Sequence, residues 1–488
     1  MKIKFLLRVV AMLPLAFARS ARADVSLPAV FSDHMVLQRD ARVPVWGTAA
    51  PGEKITVEFS GQSHSTTAGT DGKWRVTLAD QKAGAPQTLT IRGNNTIVIQ
   101  DVLVGEVWLG SGQSNMAMTV NRAKDFDAEK AAAKFPLIRH FKEESGSAAT
   151  SQSVGKGHWE ICAPETVGGF SAALYFFGRE LHQTLRVPVG LINSSVGGTA
   201  IELWIADDVQ KGNKELQDAI AAAPKAPAIA PVAENPPAEK KSTTAKAKAA
   251  KTTARPAVSG GLFNGKISPL IPYGIRGALW YQGEANSTPA KAPLYEHQLA
   301  LLIRDWRARW GYDFPFAWVQ LPNFTGAGRD WPLVREGMLK TLALPRTGMA
   351  IAIDVGEAGD IHPKNKQAVG HRLALWALGT VYDQKVAATS GPLPAAHETR
   401  GREIVVRFTH ANGGLIAKDG ELKGFLVAGA DRKWLPAQAR IAGDTVIVSS
   451  PAVAAPVAVR YAWENFPACN LFNAAGLPAS PFRTDDWK

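Results

Sequence analysis

The chain has 488 residues, of which 46% are hydrophobic and 20% charged, a composition typical of a globular protein with roughly two or three domains. Its formal net charge is +12, but residues 1–23 and 225–255 together hold twelve of the Lys and Arg residues and only two acids. The rest of the chain is therefore close to neutral, which argues against a nucleic-acid-binding protein.

The N-terminus has the pattern of a secretory signal. Basic residues (Lys2, Lys4 and Arg8) precede an apolar run at 9–17, and small residues at 21–23 provide a cleavage site. We therefore expect residues 1–23 to direct export to the periplasm or the extracellular space. The apolar run is shorter than the ~20 residues that cross a bilayer, and no other stretch is long enough, so we expect no membrane span.

Residues 24–101 alternate between apolar and polar side chains in short runs, which are separated by turn residues such as Pro51-Gly52 and Asp71-Gly72. Alternation with a period of two is typical of strands that bury one face. The pattern predicts an N-terminal β-sandwich-like domain over 24–101, with strands near 55–59, 74–78, 88–91 and 97–99.

From residue 102 onward, short apolar runs alternate with segments of helical periodicity. The runs predict strands at 187–192, 277–281, 316–321 and 349–353. Between them, apolar side chains recur at helical spacing, for example at 174, 177, 181 and 185. Repeated strand–helix units predict a parallel sheet covered by helices on both faces. We assign this α/β/α fold to residues 102–383.

A tract rich in Ala, Pro, Lys and Thr interrupts the α/β region at 224–256. It has almost no large apolar side chains and so cannot bury enough surface to offset the entropy lost on ordering. The tract is therefore predicted to be a disordered insertion. Apolar residues resume at 262–263, which makes it a long loop within one domain.

Alternation with a period of two returns after residue 383, at 404–408, 446–448 and 457–461. This predicts a C-terminal β-sandwich-like domain over 384–488. The chain contains two cysteines, Cys162 and Cys469. They could pair in an exported protein or remain free thiols, and the sequence leaves both outcomes open.

A serine follows the first apolar run of the α/β region. Residues 107–109 are apolar, and Gly-Ser-Gly-Gln-Ser-Asn-Met follows at 110–116. Such a strand end is where a doubly wound sheet places its chemistry, and the glycines allow a tight turn. Ser114 is therefore the candidate nucleophile. The motif is not the G-x-S-x-G elbow of α/β-hydrolases, because Met116 stands where the second glycine would be.

A serine nucleophile needs a base, an orienting carboxylate and N–H donors for the oxyanion. Three further strand-end loops offer them: Gly197-Gly198, Gln282-Gly283-Glu284 and residues 360–362. Among the ten histidines, His362 lies between a strand end and a helix start, with a carboxylate two residues back. We therefore take His362 as the candidate base.

Three motifs together resemble the sialate O-acetylesterase family of SGNH-type carbohydrate esterases. They are Gly-Gln-Ser-Asn-Met at 112–116, Trp-Tyr-Gln-Gly-Glu-Ala-Asn at 280–286 and Asp-Ile-His-Pro-Lys-Asn-Lys at 360–366. Stretches at 31–38 and 478–487 are also similar to the family. The resemblance implies an SGNH-hydrolase-like α/β/α domain with β-rich flanks, Ser114 as nucleophile, His362 as base and acetate as product. It implies no metal and no cofactor.

The resemblance also implies three oxyanion donors. They are the main-chain N–H of Ser114, the main-chain N–H of Gly198 and the side-chain amide of Gln282. Many SGNH enzymes have an asparagine in the third place. A glutamine amide offers the same two donors on a longer arm.

The position of the orienting acid in this chain differs from the usual position in the family. SGNH enzymes commonly carry it three residues before the histidine, where this chain has Gly359. Asp360 is therefore our choice and Glu357 the alternative. Candidate substrate-binding residues come from the motif loops and from the start of a predicted helix: Asn115, Glu284, Asn286 and Arg335.

The sequence thus predicts a serine esterase that removes O-acetyl groups from carbohydrates through a Ser-His-Asp acyl-enzyme mechanism, in the manner of a sialate 9-O-acetylesterase. Two alternatives stay open. One is an acetylesterase of the same fold that acts on xylan or another polysaccharide, and the other is a non-catalytic carbohydrate-binding protein. The expected partner is an acetylated sugar or glycan. The oligomeric state and the acetylated hydroxyl do not follow from the sequence.

Overall fold

The computed structural model describes residues 24–224, 258–326 and 330–487. The predicted signal at 1–23 lies outside the described residues, as does the predicted insertion at 224–256 apart from Pro224. None of the described helices is both long enough and apolar enough to cross a bilayer.

The N-terminal strands form antiparallel pairs. β2 pairs with β5, and β3 lies between β4 and β6. Ile55, Val57 and Phe59 of β3 point into the core, as the alternation predicts. β4 was not predicted, because its side chains are all polar and give no apolar face. The bounds are β1 Val36–Gln38, β2 Val43–Thr48, β3 Lys54–Phe59, β4 Gln62–Thr67, β5 Lys73–Leu78, β6 Gln87–Arg92 and β7 Thr96–Gly112.

β7 is one strand of 17 residues that crosses the predicted domain boundary at 101/102. Its first part pairs with β6 in antiparallel register, and its last part is a strand of the central parallel sheet. The pairing changes near Asp101, whose φ of 54° is left-handed. The Asp101 carboxylate accepts hydrogen bonds from Arg139 at 2.5 Å and from His34 at 2.7 Å. The N-terminal strands and the α/β region are therefore continuous.

The central sheet has the strand order β9-β8-β10-β7-β11-β12-β13. All neighbours along this path are parallel except β8 and β9. The strands that follow β7 in the chain, β8 to β10, lie on one side of it, and the later strands β11 to β13 lie on its other side. The strand order of the sheet therefore reverses direction at β7. The new bounds are β8 Phe135–Lys142, β9 Trp159–Cys162, β10 Val189–Ser195, β11 Gly277–Tyr281, β12 Phe316–Gln320 and β13 Thr347–Ile351.

Helices cover both faces of this sheet, which confirms the predicted α/β architecture with a mostly parallel sheet. Trp108 packs with α3 and α8 on one face, whereas Val107 and Leu109 belong to the core on the opposite face with α6 and α7. The helices are α1 Ser114–Ala117, α2 Phe126–Ala132, α3 Ala172–Leu185, α4 Asp207–Gly212, α5 Lys214–Ala222, α6 Tyr295–Trp310, α7 Trp331–Thr341 and α8 Lys366–Thr380.

The C-terminal residues form two four-stranded antiparallel sheets, β14-β15-β20-β19 and β18-β17-β21-β23, around a shared core. Cys162 and Cys469 are both free thiols. The strands are β14 Leu393–Arg400, β15 Glu403–Thr409, β16 Leu415–Ala417, β17 Phe425–Ala428, β18 Trp434–Pro436, β19 Gln438–Ala442, β20 Thr445–Ser449, β21 Ala458–Tyr461, β22 Leu471–Asn473 and β23 Phe482–Arg483.

Arg335 lies in α7 and is fully buried, which corrects its assignment as a substrate-binding residue. Burial lowers the pKa of Arg335 to about 9. The guanidinium donates hydrogen bonds of 2.7 to 3.1 Å to the main-chain carbonyls of Leu321, Pro322, Glu464 and Asn465. Because these carbonyls follow β12 and β21, Arg335 joins the α/β region to the C-terminal strands.

Replacing Arg335 with methionine should destabilise the protein by about 2–4 kcal/mol, because buried carbonyls lose a charged donor that solvent cannot replace. Thermal unfolding followed by circular dichroism measures the effect. Arg402→Met is the matched control, since Arg402 is exposed and has no side-chain hydrogen bond or ion pair among the described residues. Equal melting temperatures for the two variants would contradict the structural role of Arg335.

Candidate active site

Ser114 lies directly after the carboxyl end of β7, as the first residue of α1. The preceding turn requires glycine at position 112. Gly112 has a φ of +130°, and a Cβ atom there would lie 2.2 Å from the carbonyl oxygen of Tyr281. This close approach of β7 to β11 leaves Ser114 half-buried at the edge of the sheet.

His362 comes from the loop between β13 and α8, 248 positions away in the sequence from Ser114. Its Nε2 atom lies 2.8 Å from Ser114 Oγ. Partial burial lowers the pKa of His362 below its usual value, and the nearby Asp360 charge opposes that shift. A neutral imidazole at hydrogen-bond distance from a hydroxyl can accept the hydroxyl proton.

Asp360 is the carboxylate beside the imidazole. Its Oδ1 atom accepts a hydrogen bond of 2.9 Å from the main-chain N–H of His362 and lies 3.5 Å from His362 Nδ1. The first of these contacts is the main reason that the pKa of Asp360 lies below its usual value. Glu357 instead accepts hydrogen bonds of 2.8 Å from the main-chain N–H and the ammonium of Lys364. The geometry therefore favours Asp360 over Glu357.

The turn of Ser114 and the neighbouring loop after β10 each contribute a main-chain N–H group without a main-chain acceptor among the described residues. The loop after β10 passes against the serine, since a Cβ atom on Gly197 would lie 3.4 Å from Ser114 Cβ. The next residue, Gly198, has a φ of +72°. Within the described chain, the N–H groups of Ser114 and Gly198 have no main-chain acceptor. Both are available to a developing oxyanion.

Gln282 is fully buried, and its amide is already occupied. Its Nε2 atom donates to the carbonyl of Thr199 at 3.1 Å and to Asn286 Oδ1 at 2.8 Å. Because an amide has two N–H hydrogens, neither remains for an oxyanion. This corrects the expectation of a third donor. Gln282 instead holds the loop that carries Gly198.

Asn286 was expected to bind substrate, but it is buried and supports the same loop. Its Oδ1 atom accepts from the main-chain N–H of Ile201 at 2.9 Å, and its Nδ2 atom donates to Glu202 at 3.0 Å. An amide without solvent access cannot contact a sugar. Asn286 is therefore a structural residue of the loop.

Asn115 and Glu284 were also expected to bind substrate, and both are buried behind Ser114. Asn115 Nδ2 donates to Glu284 Oε1 at 2.6 Å. Sequence reasoning missed their partner Lys366, whose ammonium donates to Asn115 Oδ1 at 2.6 Å. The sequence feature that could have pointed to Lys366 is that it is the second lysine in the motif at 360–366. Its burial could not be read from the sequence.

The described residues thus assemble a hydroxyl, an imidazole, a carboxylate and two free N–H groups, which suffice for acyl transfer through a serine. Within residues 24–224, 258–326 and 330–487, no group of three or more His, Cys, Asp or Glu side chains is arranged to hold a metal ion.

Comparison with known proteins adds independent evidence. The family model described as "Carbohydrate esterase, sialic acid-specific acetylesterase" matches residues 104–230 and 266–378, which include Ser114 and His362. Sialate O-acetylesterase of Mus musculus is 31% identical, with 95% of each chain covered. The Homo sapiens enzyme is 30% identical over 95% of this chain and 93% of its own.

A solved structure shares the whole fold. A carbohydrate acetylesterase from Xanthomonas citri is 39% identical to this chain and superposes with a TM-score of 0.83, covering 95% of this chain and all of its own. Both the family model and these relatives match the segments that carry the site. The chain therefore belongs to the sialate O-acetylesterase family of carbohydrate esterases.

Proposed function

We propose that this protein is a carbohydrate O-acetylesterase in which Ser114, His362 and Asp360 act as nucleophile, base and orienting acid. The observation that carries the proposal is the 2.8 Å contact between Ser114 Oγ and His362 Nε2 at the point where the strand order reverses. Ligands of open α/β sheets bind at such a point.

The reaction proceeds in two halves. Ser114 Oγ attacks the acetyl carbonyl carbon while His362 Nε2 takes its proton, and the oxyanion accepts hydrogen bonds from the N–H groups of Ser114 and Gly198. The tetrahedral intermediate collapses as His362 returns the proton to the departing sugar oxygen. Water, deprotonated by His362, then attacks the carbonyl carbon of the acetyl-Ser114 ester. The acyl–Oγ bond breaks as His362 returns the proton to Ser114 Oγ, which releases acetate and restores the free serine.

The names of the relatives support acetylated sialic acid as the preferred substrate, because sialate esterases at 30 to 31% identity match almost the whole chain. Acetylated xylan is the competing substrate. Acetate release from O-acetylated sialic acid and from acetylated xylan, compared at equal acetyl concentration, tests this choice. Faster release from xylan would assign the protein to the second substrate.

Ser114→Ala and His362→Ala should each lower kcat/KM for 4-nitrophenyl acetate by about 10³-fold or more. The double variant should be little worse than either single one, because the two residues act as a unit. Circular dichroism checks that the variants remain folded. Turnover by Ser114→Ala close to that of the wild type would refute the proposed nucleophile.

The pH dependence of kcat/KM tests Asp360. His362 accepts a proton only when neutral, so activity should rise with pH through the pKa of His362, which burial holds below its usual 6.5. Asp360→Asn removes the charge that raises this pKa. We therefore expect kcat to fall by up to about 10⁴-fold and the acidic limb to move to lower pH.

Glu357→Gln is the matched comparison for Asp360→Asn. Because Glu357 pairs with Lys364 and not with the imidazole, its replacement should cost less activity and leave the acidic limb nearly in place. A larger loss in Glu357→Gln than in Asp360→Asn would reverse the assignment of the orienting acid.

The acyl group should be short. The loop after β10 passes against Ser114, since a Cβ atom on Gly197 would lie 3.4 Å from Ser114 Cβ, and we propose that this loop limits the space for the acyl group. A tight pocket discriminates by about 1–3 kcal/mol per methylene, or roughly 10- to 200-fold in kcat/KM. We expect the order acetate, butyrate, octanoate for 4-nitrophenyl esters. A preference for octanoate would indicate a lipase-like enzyme.

A further inference from the structure

Buried polar side chains directly behind the nucleophile connect its turn to a second loop. Gln113 and Asn115 flank Ser114 on either side, and the amides of both donate to the Glu284 carboxylate. The Asn115 Nδ2 contact measures 2.6 Å. Glu284 follows β11 by three residues, so its carboxylate fixes the serine turn to the end of the neighbouring strand.

The other end of this network reaches the loop of the base. Asn115 Nδ2 also donates to the carbonyl of Ile361 at 3.0 Å, and Asn115 Oδ1 accepts from the Lys366 ammonium at 2.6 Å. Lys366 in turn donates to the carbonyl of Pro363 at 2.8 Å. Ile361 and Pro363 are the two neighbours of His362. The residues on both sides of the base are therefore tied to Asn115.

Asn115 is oriented by the two charges. Its Nδ2 atom donates to the Glu284 carboxylate, and its amide oxygen accepts from the Lys366 ammonium, so the amide cannot rotate without losing both contacts. Both charged groups are buried. Burial raises the pKa of Glu284 and lowers the pKa of Lys366 to about 7. Replacing buried charges with apolar side chains is often neutral or stabilising, so stability alone does not account for these two groups.

We propose that Glu284 and Lys366 are positioning residues, which act through Asn115 to hold Ser114 Oγ at hydrogen-bond distance from His362 Nε2. Neither touches the substrate. The inference rests on the proposed roles of Ser114 and His362. It gives Asn115 and Glu284, which were expected to bind sugar, a role in positioning these two residues instead. Small displacements between reacting groups are costly, of the order of 10²-fold in rate for ~1 Å.

Two substitutions that conserve side-chain volume test the proposal. Glu284→Gln replaces one carboxylate oxygen with an amide nitrogen, which cannot accept from both flanking amides in their present orientation. Lys366→Met keeps the length of the side chain and removes the donor to Asn115 and Pro363. Each should lower kcat for 4-nitrophenyl acetate by about 10- to 100-fold and leave KM within about twofold.

The double variant Glu284→Gln/Lys366→Met should have a kcat no lower than that of the worse single variant, because both residues act on the same serine–histidine contact. Fully additive losses would mean that the two residues act independently. A large increase in KM in either single variant would mean that its side chain supports substrate binding. Either result overturns the proposal.

Glu106→Gln is the matched control. Glu106 is a fully buried glutamate on β7, six residues before Gly112 and so away from the strand end that leads to Ser114. It accepts from Arg276 at 2.7 Å and from Tyr382 at 2.9 Å. The same substitution there should lower the melting temperature and leave kcat of the folded protein unchanged. Comparison of the two variants separates lost stability from lost positioning.

The proposed function is checked in the same experiment. If the wild type lacks acetylesterase activity, or Ser114→Ala retains it, the proposed function fails whatever the Glu284 variant does. If both behave as proposed, a wild-type kcat in Glu284→Gln and in Lys366→Met overturns the positioning role. Should Glu284→Gln not fold, Lys366→Met decides by the same criterion.

Discussion

The architecture of the site depends on the contact between the ends of β7 and β11. At Gly112 the two main chains come so close that a Cβ atom would lie 2.2 Å from the Tyr281 carbonyl oxygen, and the N–H of Gln113 donates to that oxygen at 3.0 Å. Only glycine permits this approach. The contact fixes where β7 stops and the serine turn starts, and the other functional loops are arranged around that point.

Burial changes sharply across this site. Ser114 and His362 are half-buried and therefore open to an ester, whereas Asn115, Glu284 and Lys366 behind them are enclosed. Hydrogen bonds between charged and polar groups are stronger away from water, because the local dielectric constant is low. The reacting atoms thus remain accessible while the groups that fix their neighbours lie where their interactions are strongest. A single loop facing solvent could not provide both accessible reacting atoms and enclosed hydrogen bonds that hold them.

Sequence patterns predicted the strands and the fold better than they predicted the roles of individual polar residues. The strand predicted at 277–281 matches β11, Gly277–Tyr281, because a short apolar run between turn residues has one simple interpretation. The positions of Ser114 and His362 in loops at strand ends also predicted that the two residues act together, and they lie 2.8 Å apart. Gln282 and Arg335 were misassigned, since a polar residue in a motif loop serves a ligand or a buried main-chain group equally well. The sequence does not show which way such a side chain points.

The continuity of β7 limits how this protein can be divided. Its first part is hydrogen-bonded to β6, and its last part, which pairs with β11, leads into the turn that holds Ser114. Cutting the chain at residue 101 would therefore leave an unpaired strand edge on one fragment and remove a neighbour from the other. The N-terminal strands and the turn that holds Ser114 are therefore connected through one uninterrupted strand, and a protein that exchanged the N-terminal strands would have to keep the pairing of β6 with β7.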